Sequence, residues 1–271
     1  NQAGPNATQT LAHGAEVRAG SVPYSTEQGL DILPVEGMVF TKRELKNPSP
    51  ELKDYYQQLY ASYRDQPPVL DLKLYETVPF PPVGGGVTDI ALDTIDGSLW
   101  LALLTRPADG KGEGVRQRAR EALAHSTLSF GVVPELTADK RVLPVHRSST
   151  AGAEMALRFY VPKVPADGLL PKDEKLRDGS YQALEAVTHA DVLSETGVLQ
   201  VTLPGADSLR LWNDLDPIES GTRDLPPAID DNRIAERVIT WIRIRFPERS
   251  KVRLRWAGLN AAMITVLTGK G

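Results

Sequence analysis

The 271-residue sequence contains no cysteine. This absence excludes disulfide bonds, thiolate nucleophiles and cysteine-ligated zinc sites together. It also suits a protein that folds under reducing conditions, so we expect the chain to be assembled in the cytoplasm.

The sequence also lacks a large excess of charge of either sign. It has 31 Lys and Arg residues against 35 Asp and Glu residues, a formal net charge of -4. Binding to nucleic acid or to anionic lipid would need a basic surface, so we expect neither partner. No apolar run approaches the roughly 20 residues that a bilayer-spanning helix needs, so we expect no membrane insertion.

Arginines are nevertheless concentrated towards the end of the chain. They lie at Arg243, Arg245, Arg249, Arg253 and Arg255. Since most of them alternate with apolar residues, the pattern predicts the solvent-facing side of strands.

The overall composition, with 41% hydrophobic and 24% charged residues, is typical of a folded globular protein. Residues 1–6 contain no Met, no basic residue and no apolar run, which a signal peptide would need. Residues 268–271 are similar to a linker. We therefore expect the chain to be a portion of a longer polypeptide.

Three helices are predicted, and the last is a short one after Asp230 and Asp231, with Ile234 and Val238 one turn apart. Ser49 and Pro50 suit the start of the first, and Pro67-Pro68 predict its end. The second is predicted over 113–124, with Val115, Ala119 and Leu123 facing inward. The helical spacing of apolar residues in the first predicts one buried face, formed by Leu52, Tyr55, Tyr56, Leu59 and Tyr63.

Alternating apolar and polar residues predict strands through most of the remaining chain. A turn at Asp96-Gly97 is expected to join two of them. The predicted fold is mainly β with a few helices, built from β-sandwich modules that are clearest in the C-terminal third. The strand-like runs cover 69–80, 87–92, 98–105, 128–133, 155–161, 192–203, 242–246, 252–256 and 261–267.

Breaks rich in proline and glycine divide the chain into three predicted regions. The first, 1–82, is an N-terminal extended and helical region. The second, 87–204, is a β-rich middle region with an inserted helix. The third, 205–271, is the C-terminal part of a β-sandwich.

Histidine provides no recognisable catalytic or metal-binding pattern. The four histidines, His13, His125, His146 and His189, are scattered, and none forms a pair at metal-ligand spacing. His125 and Ser126 are neighbours, but adjacency does not direct an imidazole at a hydroxyl, and no Gly-x-Ser-x-Gly motif is present. We therefore predict no catalytic, cofactor-binding or metal-binding residue.

An acidic series in 213–231 leaves one alternative open. Its spacing does not match a calcium-binding EF-hand loop, so solvated loops and helix caps are the simpler interpretation. A hydrolase that uses these acids, tested by Asp214→Asn, is the enzymatic alternative. The series consists of Asp214, Asp216, Glu219, Asp224, Asp230 and Asp231.

Tryptophan leaves a second alternative open. Trp100, Trp212, Trp241 and Trp256 lie in or beside strand-like runs, which favours packing in the core. Tryptophan rings can also stack on sugars, so the alternative is a carbohydrate-binding β-sandwich module with Trp212 and the neighbouring acids as its site.

Several segments, taken in their order, resemble the baseplate assembly proteins related to the baseplate J-like wedge proteins of contractile phage-tail-like injection systems. They include Trp212-Asn-Asp-Leu-Asp-Pro217 and Val238-Ile-Thr-Trp-Ile-Arg-Ile-Arg245, and the resemblance depends on the order and spacing of all the segments. The resemblance is closer over 181–267 than over 11–136. The remaining segments are 14–24, 96–104, 128–133, 199–204, 221–231 and 256–260.

The resemblance implies a structural protein that is not an enzyme and needs no cofactor. It implies a wedge component of a sixfold baseplate, which surrounds a central hub or spike and couples target contact to contraction of the sheath. The expected partners are other wedge, hub or spike, and sheath proteins. The expected location is the baseplate of a phage-tail-like particle.

Overall fold

A computed structural model describes residues 7–63, 73–135, 157–171, 179–188, 191–213, 215, 221, 224–247 and 251–267. Its strands form antiparallel sheets, and the two largest sheets pack against each other. The prediction of a mainly β fold with a few helices is therefore confirmed.

The larger sheet has six strands, and each neighbouring pair is antiparallel. Its central strand β8 is buried along its whole length. In spatial order the strands are β11 (Tyr181–Leu184), β10 (Arg158–Pro162), β14 (Val238–Arg245), β8 (Ser98–Leu104), β5 (Glu36–Glu44) and β6 (Tyr75–Phe80).

The second sheet has five strands and faces one side of the first. The contact between the rings of Phe130 and Phe159, 6.1 Å between centroids, joins the two sheets. In spatial order the strands are β12 (Ala186–Thr188), β13 (Gly197–Thr202), β9 (Thr127–Pro134), β15 (Arg253–Leu259) and β7 (Thr88–Asp89).

Two small sheets lie outside the sandwich. One pairs β1 (Gln9–Leu11) with β4 (Leu30–Ile32). The other consists of β2 (Glu16–Ala19), β3 (Val22–Thr26) and β16 (Ile264–Val266), with β3 in the centre.

The core between the large sheets is built from alternate residues of their strands. Leu99, Leu101 and Leu103 of β8 face Leu128 and Phe130 of β9 across this layer, and all are fully buried. Because a strand directs successive side chains to opposite faces, the residues between them point to the outer faces of the sheets.

The helices are few and mostly short. The predicted helix over 113–124 is confirmed as α3 (Glu113–Leu123), with Leu123 buried. Asp89 accepts hydrogen bonds from the first backbone N–H groups of α2 (Ile90–Asp93), and Asp231 does so for α4 (Asn232–Ala235). The described residues also include the 3-10 helices Pro107–Asp109 and Ala206–Ser208.

The first predicted helix is present as α1 (Pro50–Tyr63), but the prediction of a buried face is wrong. The Ser49 hydroxyl accepts a hydrogen bond from the backbone N–H of Leu52 at 3.2 Å, as expected of a cap. However, Leu52 is 37% exposed and Tyr55 58% exposed. Tyr56 and Leu59 are half-buried, and the side chain of Tyr63 lies outside the described residues. Among the described residues, no element buries this side of the helix.

The predicted hairpin around Asp96-Gly97 is also wrong. The run 87–92 forms only the short β7 followed by α2, because Asp89 caps a helix there. β7 pairs with β15, whereas β8 belongs to the other large sheet. The turn therefore carries the chain from one sheet to the other.

The three strands at the end of the chain do not form one sheet. β14, β15 and β16 lie in the six-, five- and three-stranded sheets respectively. Likewise, the six-stranded sheet takes strands from each of the three predicted regions, 1–82, 87–204 and 205–271. Strand pairing between distant residues, which periodicity does not specify, determines this arrangement.

A bulge in β15 changes the predicted direction of Trp256. The register shifts between Leu254 and Trp256, so that Arg255 is the extra residue and Ala257 takes the inward position. Trp256 is therefore 39% exposed. A Cβ on Gly131 would lie 2.8 Å from the Trp256 ring, which shows that this ring lies directly over a glycine of β9.

Candidate functional site

The outer face of the six-stranded sheet is covered by residues 204–213 and 224–230. Trp212 and Leu225 of this covering segment are buried, and Leu211 packs against the aromatic residues of the outer face, whereas Leu209 packs into the core between the two sheets. The Thr240 hydroxyl of β14 donates to the Arg210 carbonyl at 3.2 Å, which fixes the segment to the sheet. Both faces of the sheet are thus covered, although alternating strands usually leave one face in water.

Charged and aromatic side chains meet between this covering segment and the sheet, and one of them, Asp224, belongs to the segment and is 66% exposed. We call them the charged cluster. The members come from β5, the turn before β8, β8, β11, the covering segment and β14. They are Lys42, Asp96, Trp100, Tyr181, Asp224 and Arg243.

Asp96 lies at the centre of the charged cluster. Its Oδ2 lies 3.0 Å from the ammonium of Lys42 and accepts a hydrogen bond from the indole N–H of Trp100 at 2.9 Å. Its Oδ1 accepts from the backbone N–H of Ser98 at 3.2 Å. Burying a carboxylate requires such partners, because desolvation otherwise exceeds the electrostatic gain.

Arg243 connects the sheet to the covering segment. Its Nη1 lies 2.7 Å from Oδ1 of Asp224, and its Nε donates to the Ser98 hydroxyl at 3.1 Å. The prediction that Arg243 faces solvent is therefore wrong, since only 8% of its side chain is exposed. Arg245, Arg253 and Arg255 are exposed as predicted, and Arg249 lies outside the described residues.

Lys42 and Tyr181 bind the backbone of the covering segment. The Lys42 ammonium donates to the Leu225 carbonyl at 2.8 Å. The Tyr181 hydroxyl donates to the Asp224 carbonyl. Consecutive carbonyls of the segment are thus held by side chains of two different strands.

Aromatic rings surround the charges. The Trp100 ring contacts Tyr181 and Trp241 edge-on, both at 6.3 Å between centroids, and Tyr181 contacts Trp212 at 5.6 Å. The Lys42 ammonium lies 4.8 Å from the centre of the Trp100 ring, which is cation–π distance. These contacts offset part of the cost of burying the cations.

Burial shifts the titration of two members. It lowers the pKa of Lys42, although the neighbouring carboxylate of Asp96 opposes the shift. Burial also raises the pKa of Tyr181, because the phenolate would lose water. Both shifts have the same cause, because the ammonium of Lys42 and the phenolate of Tyr181 would each lose hydration in this buried region.

Tyr181 predicts a loss of stability at alkaline pH. In the unfolded chain its phenol ionises near pH 10, whereas in the folded chain it keeps its proton to higher pH. Its contribution is therefore fully present below about pH 10 and decreases above it, by up to about 1.4 kcal/mol per pH unit. Chemical denaturation at pH 8 to 11 should show this slope.

Tyr181→Phe provides the control for this prediction. The variant loses the hydroxyl bond, at a cost of about 1 kcal/mol at pH 8, and the alkaline slope should become smaller. Lys42 is present in both proteins, so its titration does not affect the difference. An unchanged slope in the variant would contradict the assignment to Tyr181.

The charged cluster is arranged for structure. Lys42, Asp96 and Arg243 pair with one another or with backbone, and at most 8% of each side chain is exposed. A general acid or base must reach its substrate within hydrogen-bond distance, which this burial prevents. What the arrangement does accomplish is to hold the covering segment on the sheet.

We compared the chain with known proteins. Neither protein-family models nor curated proteins give a match.

The described part of the chain includes two of the four histidines. His125 is exposed, with a φ of 59°, directly after α3. The neighbouring Ser126 hydroxyl donates to the Leu123 carbonyl at 2.7 Å and so completes the end of that helix. Nδ1 of His13 lies 2.8 Å from the Glu27 carbonyl. His146 and His189 lie outside the described residues.

Two of the three described members of the acidic series have structural partners, and the third, Asp230, is exposed. Asp224 pairs with Arg243, and Asp231 caps α4 and pairs with Arg233. Over the described ranges, no group of His, Asp and Glu side chains is arranged to hold a metal ion. Asp214, Asp216 and Glu219 lie outside these ranges.

The tryptophans occupy the positions that core packing predicts, with one exception. Trp100, Trp212 and Trp241 are buried, and only Trp256 is partly exposed. The Trp212 ring therefore offers no open face on which a sugar could stack. The helices found among the described residues are also too short or too polar to cross a membrane.

Sequence reasoning did not identify the charged cluster. Lys42 and Arg243 were predictable only as charged residues within otherwise apolar strands, which normally indicates a solvent-facing position. The signal that could have identified them is the aromatic content of the same face, Phe40, Trp100 and Trp241, which is unfavourable next to water.

Proposed function

We propose that this chain is a structural, non-enzymatic component of the baseplate of a contractile phage-tail-like injection system. It would be assembled in the cytoplasm with other wedge proteins around a hub or spike, in sixfold symmetry. There it would help to couple target contact to contraction of the sheath.

One observation carries this proposal. Four of the sequence segments that resemble baseplate wedge proteins, 96–104, 212–217, 221–231 and 238–245, converge on the charged cluster or on the aromatic rings around it. Their unusual residues are therefore used to hold the fold together. Motif residues that stabilise the fold are expected of a structural subunit, whereas the motif residues of an enzyme should converge on an accessible cleft.

The architecture supports a mechanical role as well. The two sheets pack against each other, and the covering segment packs on the outer face of the larger one. Such a dense body deforms little and can transmit displacement between its neighbours. The charged cluster extends this rigidity to residues 204–213 and 224–230. The buried Trp212 gives no support to the alternative of a carbohydrate-binding module.

Electron microscopy of native particles tests the proposal. An inserted peptide tag at Val83, which is 94% exposed, should label a sixfold plate at one end of a sheathed tube. Contracted and extended particles should both carry the label. A tagged chain found only as a free monomer that converts a small molecule would overturn the proposal.

A further inference from the structure

Lys42 and Asp96 hold an amine and a carboxyl group together away from solvent. Nζ of Lys42 lies 3.0 Å from Oδ2 of Asp96, and only 1% and 6% of the two side chains are exposed. Lys42 belongs to β5, and Asp96 lies in the turn before the neighbouring strand β8. The backbone N–H of Ile95 donates to the Lys42 carbonyl at 2.9 Å, which fixes the two segments beside each other. An amine and a carboxyl group in this contact are the two reactants of an amide bond.

We propose that Lys42 and Asp96 condense spontaneously to an intramolecular amide bond between Nζ and Cγ. The ammonium of Lys42 first gives one proton to the carboxylate of Asp96, so that the pair becomes a neutral amine and a carboxylic acid. The amine then attacks Cγ, the N–C bond forms, and one C–O bond breaks. The departing oxygen leaves as water with two protons of the original ammonium, so the reaction needs no oxidant and no further reactant.

The buried position favours condensation over a lasting ion pair. Burial lowers the pKa of Lys42, although the carboxylate of Asp96 opposes the shift, and so raises the fraction of amine that is neutral and nucleophilic. Two ions in a region of low polarity carry a large cost of desolvation, which an uncharged amide avoids. Groups held in contact also react as if highly concentrated, with effective concentrations of about 10⁵ M or more when they are well oriented.

Hydrogen-bond donors already surround the carboxyl group of Asp96. The Trp100 indole N–H donates to Oδ2 at 2.9 Å, and the Ser98 backbone N–H donates to Oδ1 at 3.2 Å. Whichever oxygen departs, the other keeps a donor, and that donor also stabilises the negative charge that develops during the attack. The new amide N–H can donate to the Leu225 carbonyl, which Nζ of Lys42 already contacts at 2.8 Å. Both polar groups of the product are thus paired, as a buried amide requires.

The bond would close a covalent loop within the larger sheet. Helix α1, strands β6 and β7, and helix α2 all lie between Lys42 and Asp96 in the sequence. Tension applied to the chain ends would pass directly from β5 to the start of β8 and would not extend the intervening segment. The bond does not depend on the proposed function, because it forms or fails to form wherever the chain is located. A location in the baseplate does not require the bond either, so the two experiments fail independently.

Mass spectrometry of the intact, denatured chain tests for the bond without any substitution. We expect most molecules to be lighter than the sequence mass by one water, and a protease digest to contain a branched peptide that joins Lys42 to Asp96. Lys111 and Glu236 provide the matched control, since their charged atoms lie 2.7 Å apart but more than half of each side chain is exposed. Their peptides should remain separate. A chain with its full sequence mass would overturn the proposal.

A succinimide at Asp96-Gly97 is another reaction that would remove one water at this position. The structure disfavours it, because the Gly97 backbone N–H, whose nitrogen would be the nucleophile, donates to the Thr94 hydroxyl at 3.0 Å. Lys42→Met separates the two reactions, since it removes the amine and keeps Asp96-Gly97, and this variant should have its full sequence mass. A loss of water that persists in Lys42→Met would overturn the proposal. The branched peptide of the unsubstituted chain makes the same distinction even if the variant does not fold, because a succinimide joins no second peptide.

Discussion

Asp96→Ala is expected to lower the free energy of unfolding by about 3–5 kcal/mol, measured by denaturant titration. The substitution removes the carboxylate that compensates for the buried ammonium of Lys42 and accepts the Trp100 indole N–H. It also removes a negative charge close to the guanidinium of Arg243, whose Nη2 lies 4.0 Å from Oδ2 of Asp96. Buried cations that lose a partner keep the full cost of desolvation.

A double variant separates the loss of the pair from the loss of one partner. Lys42→Met with Asp96→Asn removes both charges, and the unfolding free energy should decrease by only about 1–3 kcal/mol, mainly because the Leu225 carbonyl loses its donor. The double variant should therefore be more stable than Asp96→Ala.

An exposed ion pair provides the matched control. Glu16→Ala breaks the contact of Glu16 with Arg18 at 2.8 Å, where both side chains are more than half exposed. That change should cost less than about 1 kcal/mol. A similarly small loss for Asp96→Ala would contradict the role given to the charged cluster.

The charged cluster explains why the larger sheet was only partly predictable. The alternation in 242–246 correctly predicts a strand, and the inward side chains Ile242 and Ile244 are buried as expected, but the strand begins earlier, at Val238, which was predicted to be helical. It also predicts solvent for Arg243, which is wrong, because the cover comes from residues 204–213 and 224–230. Local periodicity identifies two faces of a strand but carries no information on a cover contributed by distant residues.

Helix α1 shows the converse failure. The spacing of Leu52, Tyr55 and Leu59 is that of a helix packed in a core. The helix is present, but Leu52 and Tyr55 are exposed and Leu59 is only half-buried. The same pattern serves a core and an interface between molecules, because both bury an apolar side. For Trp256, the reason is different: a one-residue bulge reverses the direction of the side chain.

The buried ions are better interpreted as specifying the fold than as strengthening it. An apolar cluster of similar volume would often be equally stable or more stable. However, paired charges at fixed positions permit only one placement of the covering segment, since any other leaves an ion without its partner. For a baseplate subunit of the kind proposed above, which would present the same surfaces to several neighbours, a single placement would be the useful property.

Trp100→Ala is expected to have an effect of similar size, a decrease of about 3–5 kcal/mol in the free energy of unfolding. Its ring is fully buried, donates to Asp96, and contacts Tyr181 and Trp241. Truncation leaves a cavity at the point where the sheet meets its cover.

Trp256→Ala is the matched control for this prediction, because it removes the same side chain from a position that is 39% exposed. Its cost should be clearly smaller, about 1–2 kcal/mol, since much of the ring already contacts water. Trp100→Phe should fall between the two, because it keeps an aromatic ring but loses the indole N–H bond to Asp96 and part of the buried ring volume. If Trp100→Ala costs no more than Trp256→Ala, Trp100 does not hold the covering segment on the sheet. The segment 96–104 would then no longer support the proposal of a structural baseplate subunit.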